Sequence, residues 1–531
     1  MSEKADLETA ATIPSPEETV PSGPRGRNLT NKTLSGMFWM LSGTTAQSLL
    51  RMGVLAVTAR LLTPADFGVV GVATIFVHFA VLFSQFGLGP ALVQRPHIEE
   101  RHIRTAFFVF TLSGLVIGLG VVAAAPLIAG FFEMPRLTPI LQVGAIAFPL
   151  QGLGAVPSAM LTRELQFRKL AAVNLASFIL GSGVVGITLA FLGFGAWALL
   201  LALLSQYLIY LVLLLFAQPF PKLPQFEPNA FRELLYFGGG FTVARLLNYA
   251  AGHGDNLVVG RWLGPAALGF YGRAYQMLVF PVNLFGDTLD QVLFASMSRV
   301  QDDSQRLALA YKRGISLTAL VYLPMSVGLI VLAPEVIYVV LGPAWEGILI
   351  PFQILAAGMI FRANKIDHTV ARATGAVYRR AWRQGLYAAA VFAGAWIGQR
   401  WGITGVSVGV LIALALNFGL MIHLSLRLTS MSWRAYLAAF APGSLLAAVT
   451  FVLVWASATG LRSLATLPVI TLVGSSVITG VVLLLLLMLK PQLLLGPDAM
   501  WMLGTITKAV THKVSAIRRR TAVKGQASAG D

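Results

Sequence analysis

Polar residues inside the apolar stretches of this chain fall at helical spacing. Thr44, Gln47, Ser48 and Arg51 follow i, i+3, i+4, i+7 and share one helix face. Arg245, Asn248, Gly252 and Asp255 share one face of another stretch. Arg273, Gln276, Asn283 and Asp287 fall roughly on one side of a third, and Arg362, Lys365 and Arg372 form a cationic stripe with Asp367 opposite. Ionisable groups at membrane depth are costly and face a cavity or a partner. Several cations and few acids on such faces suit an anionic substrate, because an unpaired guanidinium can take phosphate bidentately. Arg51, Arg245, Arg362, Lys365, Gln47 and Asn248 are therefore the candidate substrate-binding residues. Asp255 and Asp287 either neutralise the arginines or carry a coupling proton or sodium ion. The competing reading for each charged residue is a structural ion pair or a side chain snorkelling to the interface. Arg273, Asp290 and Arg372 lie near segment ends and are assigned to it. His78 and His253 also sit inside apolar stretches, where a lone histidine is more often hydrogen-bonded structure than chemistry.

These stripes need membrane helices to carry them. Of 531 residues, 56% are hydrophobic and only 11% charged, whereas a soluble domain carries about 25% charged residues. Apolar segments long enough to cross a ~30 Å hydrocarbon core lie near 35–61, 67–94, 105–132, 138–161, 170–192, 195–217 and 236–262. They continue near 267–295, 314–341, 347–372, 383–401, 402–425, 436–459 and 464–489. The expectation is an all-α polytopic membrane protein of about fourteen transmembrane helices. The junction between the eleventh and twelfth is the least defined.

Residue content excludes much chemistry. There is no cysteine, hence no disulfide, thiolate metal site or cysteine nucleophile. No GK[ST] phosphate loop or H-E-x-x-H pair occurs. No outer connection exceeds about ten residues, too short for an external catalytic domain. The reading is a non-enzyme with no cofactor and no metal. The net charge of +17 reflects basic connections between segments, which is topology rather than nucleic-acid binding. Even-numbered connections hold about 17 basic residues and odd-numbered ones about three, placing both termini in the cytoplasm.

Residues 1–33 read as a disordered cytoplasmic tail with no signal peptide. At the other end, Leu503, Ile506, Val510, Val514 and Ile517 fall at helical spacing with Lys508, Lys513 and Arg518–Arg520 elsewhere. The expectation for 491–531 is a basic amphipathic tail lying on anionic phospholipid. Arg60-Leu-Leu-Thr-Pro64-Ala65-Asp-Phe-Gly68-Val-Val-Gly71-Val-Ala73 aligns at an offset of 201 with Arg261-Trp-Leu-Gly-Pro265-Ala266-Ala-Leu-Gly269-Phe-Tyr-Gly272-Arg-Ala274. Seven of the fourteen positions match. Two parallel six-helix units follow, an N-lobe over 34–218 and a C-lobe over 219–428, with two added helices over 429–490. Under that offset Gln47 lies on Asn248 and Thr44 on Arg245.

At these residues the chain resembles the Wzx-type polysaccharide and lipopolysaccharide flippases of the multidrug/oligosaccharidyl-lipid/polysaccharide exporter superfamily. The matching stretches are Ala59-Arg60-Leu-Leu-Thr-Pro-Ala-Asp-Phe-Gly68, Phe86-Gly-Leu-Gly-Pro-Ala-Leu-Val-Gln94 and Asp255-Asn-Leu-Val-Val-Gly-Arg-Trp-Leu-Gly264. Leu268-Gly-Phe-Tyr-Gly-Arg-Ala-Tyr275, Gln291-Val-Leu-Phe-Ala-Ser-Met-Ser-Arg299 and Leu341-Gly-Pro-Ala-Trp345 follow in order. The resemblance implies a V-shaped, two-lobed transporter of the bacterial inner membrane, working by alternating access. It implies a polyprenyl-pyrophosphate-linked glycan as substrate, H+ or Na+ as coupling ion, and a cationic cavity lined by the first, second, seventh and eighth helices. A glycan polymerase complex is a candidate partner. Ala295 departs from the family, which often has Pro there. A peptidoglycan lipid-precursor flippase would also want cavity arginines. A multidrug antiporter of the same superfamily would want an acidic cavity, and a membrane scaffold would need no cations at bilayer depth.

Overall fold

The computed structural model describes residues 43, 45–84, 88–95, 97–218, 220, 224–363 and 365–500. Thr44, the tail expected at 1–33 and residues 501–531 of the tail expected at 491–531 lie outside the described residues, and 491–500 are helical. Helix α1 covers 45–61, followed by α2 (Pro64–Ser84), α3 (Leu88–Gln94), α4 (Glu100–Phe131), α5 (Leu137–Gly144) and α6 (Ala147–Arg163). Then come α7 (Phe167–Ser177), a π-helical stretch (Phe178–Val185), α8 (Gly186–Phe191) and α9 (Ala196–Ala217). The second half has α10 (Pro228–Trp262), α11 (Gly264–Ser298), α12 (Ser304–Val331), α13 (Ala333–Val340), α14 (Leu349–Ala357), α15 (Met359–Ala363) and α16 (Ile366–Ala373). The last four are α17 (Val377–Gly398), α18 (Gly402–Thr429), α19 (Trp433–Ser463) and α20 (Pro468–Leu489).

By length and apolarity, eight described helical stretches qualify as membrane spans, with α17 and α18 counted together, or nine with a pair bent by 55° at Gly358. The chain is a multi-pass membrane protein. α10 and α11 stand outside that set because the polar residues noted above interrupt their apolar runs.

Helix pairs are held by small residues, as expected where lipid competes for apolar side chains. On α20 the packed face is Thr471, Ser475 and Thr479, while Leu484, Leu485, Met488 and Leu489 point outward. α17 and α18 form a hairpin in which Gly394 and Gly398 oppose Gly409 and Gly405. A Cβ at any of the four would strike the opposing backbone. Gly402 makes the turn at φ +67°, which an L side chain rarely adopts.

The two halves meet along α2 and α11, and the main hydrophobic core runs through both. Gly68 faces the Pro265 carbonyl and Gly269 faces the Pro64 carbonyl. These residues are equivalent under the offset of 201, so the contact is reciprocal, as a two-fold axis between the helices requires. Arg60 and Arg261, also equivalent, each reach across. Arg60 donates to the Val339 carbonyl (2.6 Å), and Arg261 pairs with Glu133 (2.7 Å). Trp345, fully buried, donates from Nε1 to the Ala59 carbonyl (2.8 Å) and sits edge-on to Phe67 and Phe270. Thr63 caps α2: its hydroxyl and amide both donate to Asp66, whose other oxygen accepts from the Ala196 amide of α9 (3.1 Å).

Candidate functional site

A cavity of about 500 Å³ lies between the halves. α1 supplies Arg51 and Thr58, and α2 supplies Thr74 and His78 at i, i+4. α10 contributes His253 and Asn256, and α11 contributes Arg273 and Gln276. The π-helical stretch supplies Phe178 and Ser182, and α9 supplies Gln206 and Tyr207. One extra residue per turn re-aims side chains, which is why π segments often occur at functional sites. Gly181, inside this one, packs against the Gln206 backbone too closely for any Cβ. Arg51 lies 5.6 Å from the centre of the Phe178 ring and Arg273 4.7 Å from that of Phe67. Arg273 also donates to Gln276, and its Nε has no partner. Among the described residues neither arginine is paired with a carboxylate. The cavity is thus cationic and partly aromatic, able to bind a phosphate and to cover the apolar part of what carries it.

The arginine pair differs from the sequence expectation in one member. Arg273, expected near a segment end as a structural ion pair or a snorkelling side chain, lies nine residues into α11, about 13 Å along the helix, and lines the cavity. His78 and His253, read as structural, line it too, with the Tyr249 and His253 rings 4.1 Å apart. Gln206 and Tyr207 belong to no polar stripe in the sequence, although they are polar breaks in the leucine-rich α9. Arg51 is where the first stripe put it. Gln47 is half-buried on the same helix but does not line the cavity. Arg245 and Asn248 lie on α10 and Asp287 on α11, with their side chains outside the described set.

The remaining charged candidates fall elsewhere, inside the second half. Arg362 lies 3.9 Å from the centre of the Tyr275 ring, beside a void of about 10 Å³, separate from Arg51. Asp255 is buried and accepts from the Tyr271 hydroxyl (2.7 Å). Lys365 donates to Asn283 (3.2 Å). Arg372 pairs with Asp290 at 2.6 and 2.7 Å, and Asp367 accepts from Tyr311. Where α10 begins, Glu233 joins Arg95 and His102 across to the first half. Hydrogen bonds from Arg95 and then His102 hold its carboxyl below the usual carboxylate range.

Paired helical halves enclosing a polar cavity define a two-fold membrane transporter. The fold is shared with the lipid II flippase MurJ in an inward closed conformation. That likeness covers 86% of this chain and 99% of the other, with a TM-score of 0.69 at 14% identity. The polysaccharide biosynthesis protein family matches residues 57–350, and the chain belongs to that family. Lipopolysaccharide biosynthesis protein WzxC of Escherichia coli (strain K12) is 25% identical over 403 residues, covering 73% of this chain and 80% of WzxC. Succinoglycan biosynthesis transport protein ExoT of Rhizobium meliloti (strain 1021) is 28% identical over 307 residues, covering 58% of this chain and 62% of ExoT. By their names ExoT is a transport protein and MurJ a flippase.

Proposed function

We propose that this chain is a flippase that carries a polyprenyl-pyrophosphate-linked oligosaccharide from the inner to the outer leaflet of the cytoplasmic membrane, for exopolysaccharide or lipopolysaccharide synthesis. The carrying observation is the pair Arg51 and Arg273, one from each half, in a shared cavity without a carboxylate partner among the described residues. A pyrophosphate would bridge the two, and rocking of the halves would alternately expose it to either side. Arg245, which shares a helix face with Asp255 by sequence spacing, is a third candidate cation. Both termini lie in the cytoplasm on this reading.

Transport against a gradient needs an energy source, and Asp255 is the proposed coupling carboxyl for H+ or Na+. Its support is its burial and its place on α10, the helix that also brings His253 to the cavity. Glycan export from cells carrying single substitutions tests the reading. Arg51→Ala, Arg245→Ala and Arg273→Ala should each cut export severely with the protein still in the membrane. Normal export by all three variants at native expression would defeat the cationic-cavity mechanism.

A further inference from the structure

A second cavity of about 280 Å³ lies within the first half. Gln151 and Ser158 of α6, Asn174 of α7, and Gln206, Tyr207 and Tyr210 of α9 supply its polar lining. Gln206 and Tyr207 also line the central cavity, so the two spaces meet at those side chains. Their chemistry differs. Among the described residues, no Lys, Arg, Asp, Glu or His lines the second cavity, and each polar side chain there is an amide or a hydroxyl. A free anion finds no cation among those side chains, and a lipid tail would leave the Gln151 amide donor unmatched. Amides and hydroxyls each donate and accept, as do the hydroxyls of a sugar. Tyrosine rings add flat apolar faces for the C–H side of a sugar ring, with a polar tip at hand.

Several of these groups are held in place. Ser182 of the π-helical stretch donates to Gln206 Oε1 (2.7 Å), Ser158 and Tyr210 are hydrogen-bonded (3.2 Å), and Asn174 donates to the Leu170 carbonyl (2.9 Å). Gln151 Nε2 is buried without a hydrogen-bond partner. Buried amide donors are normally paired, so an orphan in a polar cavity marks a group that a ligand can satisfy. The volume is slightly below the roughly 300–1,000 Å³ of sites for whole drug-sized ligands. It suits one sugar ring rather than an oligosaccharide.

We propose that this cavity is a glycan subsite. It holds the sugar nearest the pyrophosphate while Arg51 and Arg273 hold the pyrophosphate in the adjoining space. The inference rests on the flippase reading and adds that selection acts on the first sugar.

The test uses the purified full-length protein in lipid nanodiscs with two probes. One is polyprenyl pyrophosphate without sugar, and the other is the lipid-linked oligosaccharide extracted from cells lacking this chain. The wild type should bind the glycan-bearing lipid more tightly than the bare one. Gln151→Leu, Asn174→Leu and Tyr210→Phe, which keep volume and remove polar groups, should each weaken the glycan-bearing lipid by up to about tenfold. Their affinity for the bare lipid should stay at the wild-type value, which also reports that they are folded. Equal wild-type affinity for both probes, or variants that keep the preference or lose both probes alike, overturns the subsite and leaves the flippase reading standing. Failure of the wild type to bind either probe overturns both.

Discussion

A guanidinium in a membrane cavity is chemically specific in a way that charge alone is not. Arg51 and Arg273 present planar forks that match a phosphate, whereas a lysine offers a point charge on a flexible stem. Arg51→Lys and Arg273→Lys are therefore expected to restore only part of the export that the alanine variants lose, measured as polysaccharide per cell at matched membrane protein. Full rescue by lysine would reduce the role to charge. Asp255 makes a separate residue-scale prediction. Asp255→Asn keeps the shape and a hydrogen bond to Tyr271 while removing the charge. Transport by this variant in proteoliposomes should lose its dependence on an imposed proton or sodium gradient, and intact dependence would return Asp255 to structure. Arg362, a candidate on the same sequence grounds, shows why such lists need geometry. It is packed over Tyr275 inside the second half, away from the space that Arg51 lines.

At the scale of helices, the contact between the halves depends on what is missing from two side chains. Gly68 and Gly269 let α2 and α11 approach until each meets the carbonyl of the other's first-turn proline. Neither carbonyl can rotate away as a side chain could, so Gly68→Ala and Gly269→Ala should force the helices apart, at about 1–3 kcal/mol each. Spin-label distances between α2 and α11 should lengthen in either variant, and an unchanged distance would sink the idea. Trp345→Ala should destabilise the purified protein by about 3–5 kcal/mol, because it empties a fully buried site and strands the Ala59 carbonyl. The ion pair from Glu233 to Arg95 and His102 has a pH signature. Its carboxyl is held below the usual range, so the stability it contributes is complete above the unfolded value of about 4.3 and is lost as pH falls through the lower folded value. The difference in thermal stability between wild type and Glu233→Gln should therefore be constant near neutrality and shrink only in strong acid.

For the whole molecule, the reciprocal α2–α11 contact and the crossed reach of Arg60 and Arg261 make one two-fold arrangement from two copies of one pattern. Its orientation in the bilayer is a separate question, to which the basic-residue count speaks. Reporter fusions at Gly264 and Arg380 should fall on opposite sides of the membrane. A same-side result would undo the assignment of spans between them.

Membrane residence, the helical segments and the internal repeat follow from sequence by itself. All three depend on properties that survive without knowing any partner: run length, period, and the order of residues such as Pro64, Gly68, Pro265 and Gly269. The stripe carrying Arg51 was legible for the same reason, since i, i+3, i+4, i+7 fixes a face whatever it points at. Which stripes meet was not legible. Arg273 joins Arg51 while Arg362 does not, and His78 comes to the same space as His253, because each helix's rotation is set by packing against residues hundreds of positions away. Nor does any periodicity foretell that residues 178–185 wind as a π-helix and turn Ser182 toward Gln206. That depends on a backbone approach at Gly181, made possible only once α9 is in place.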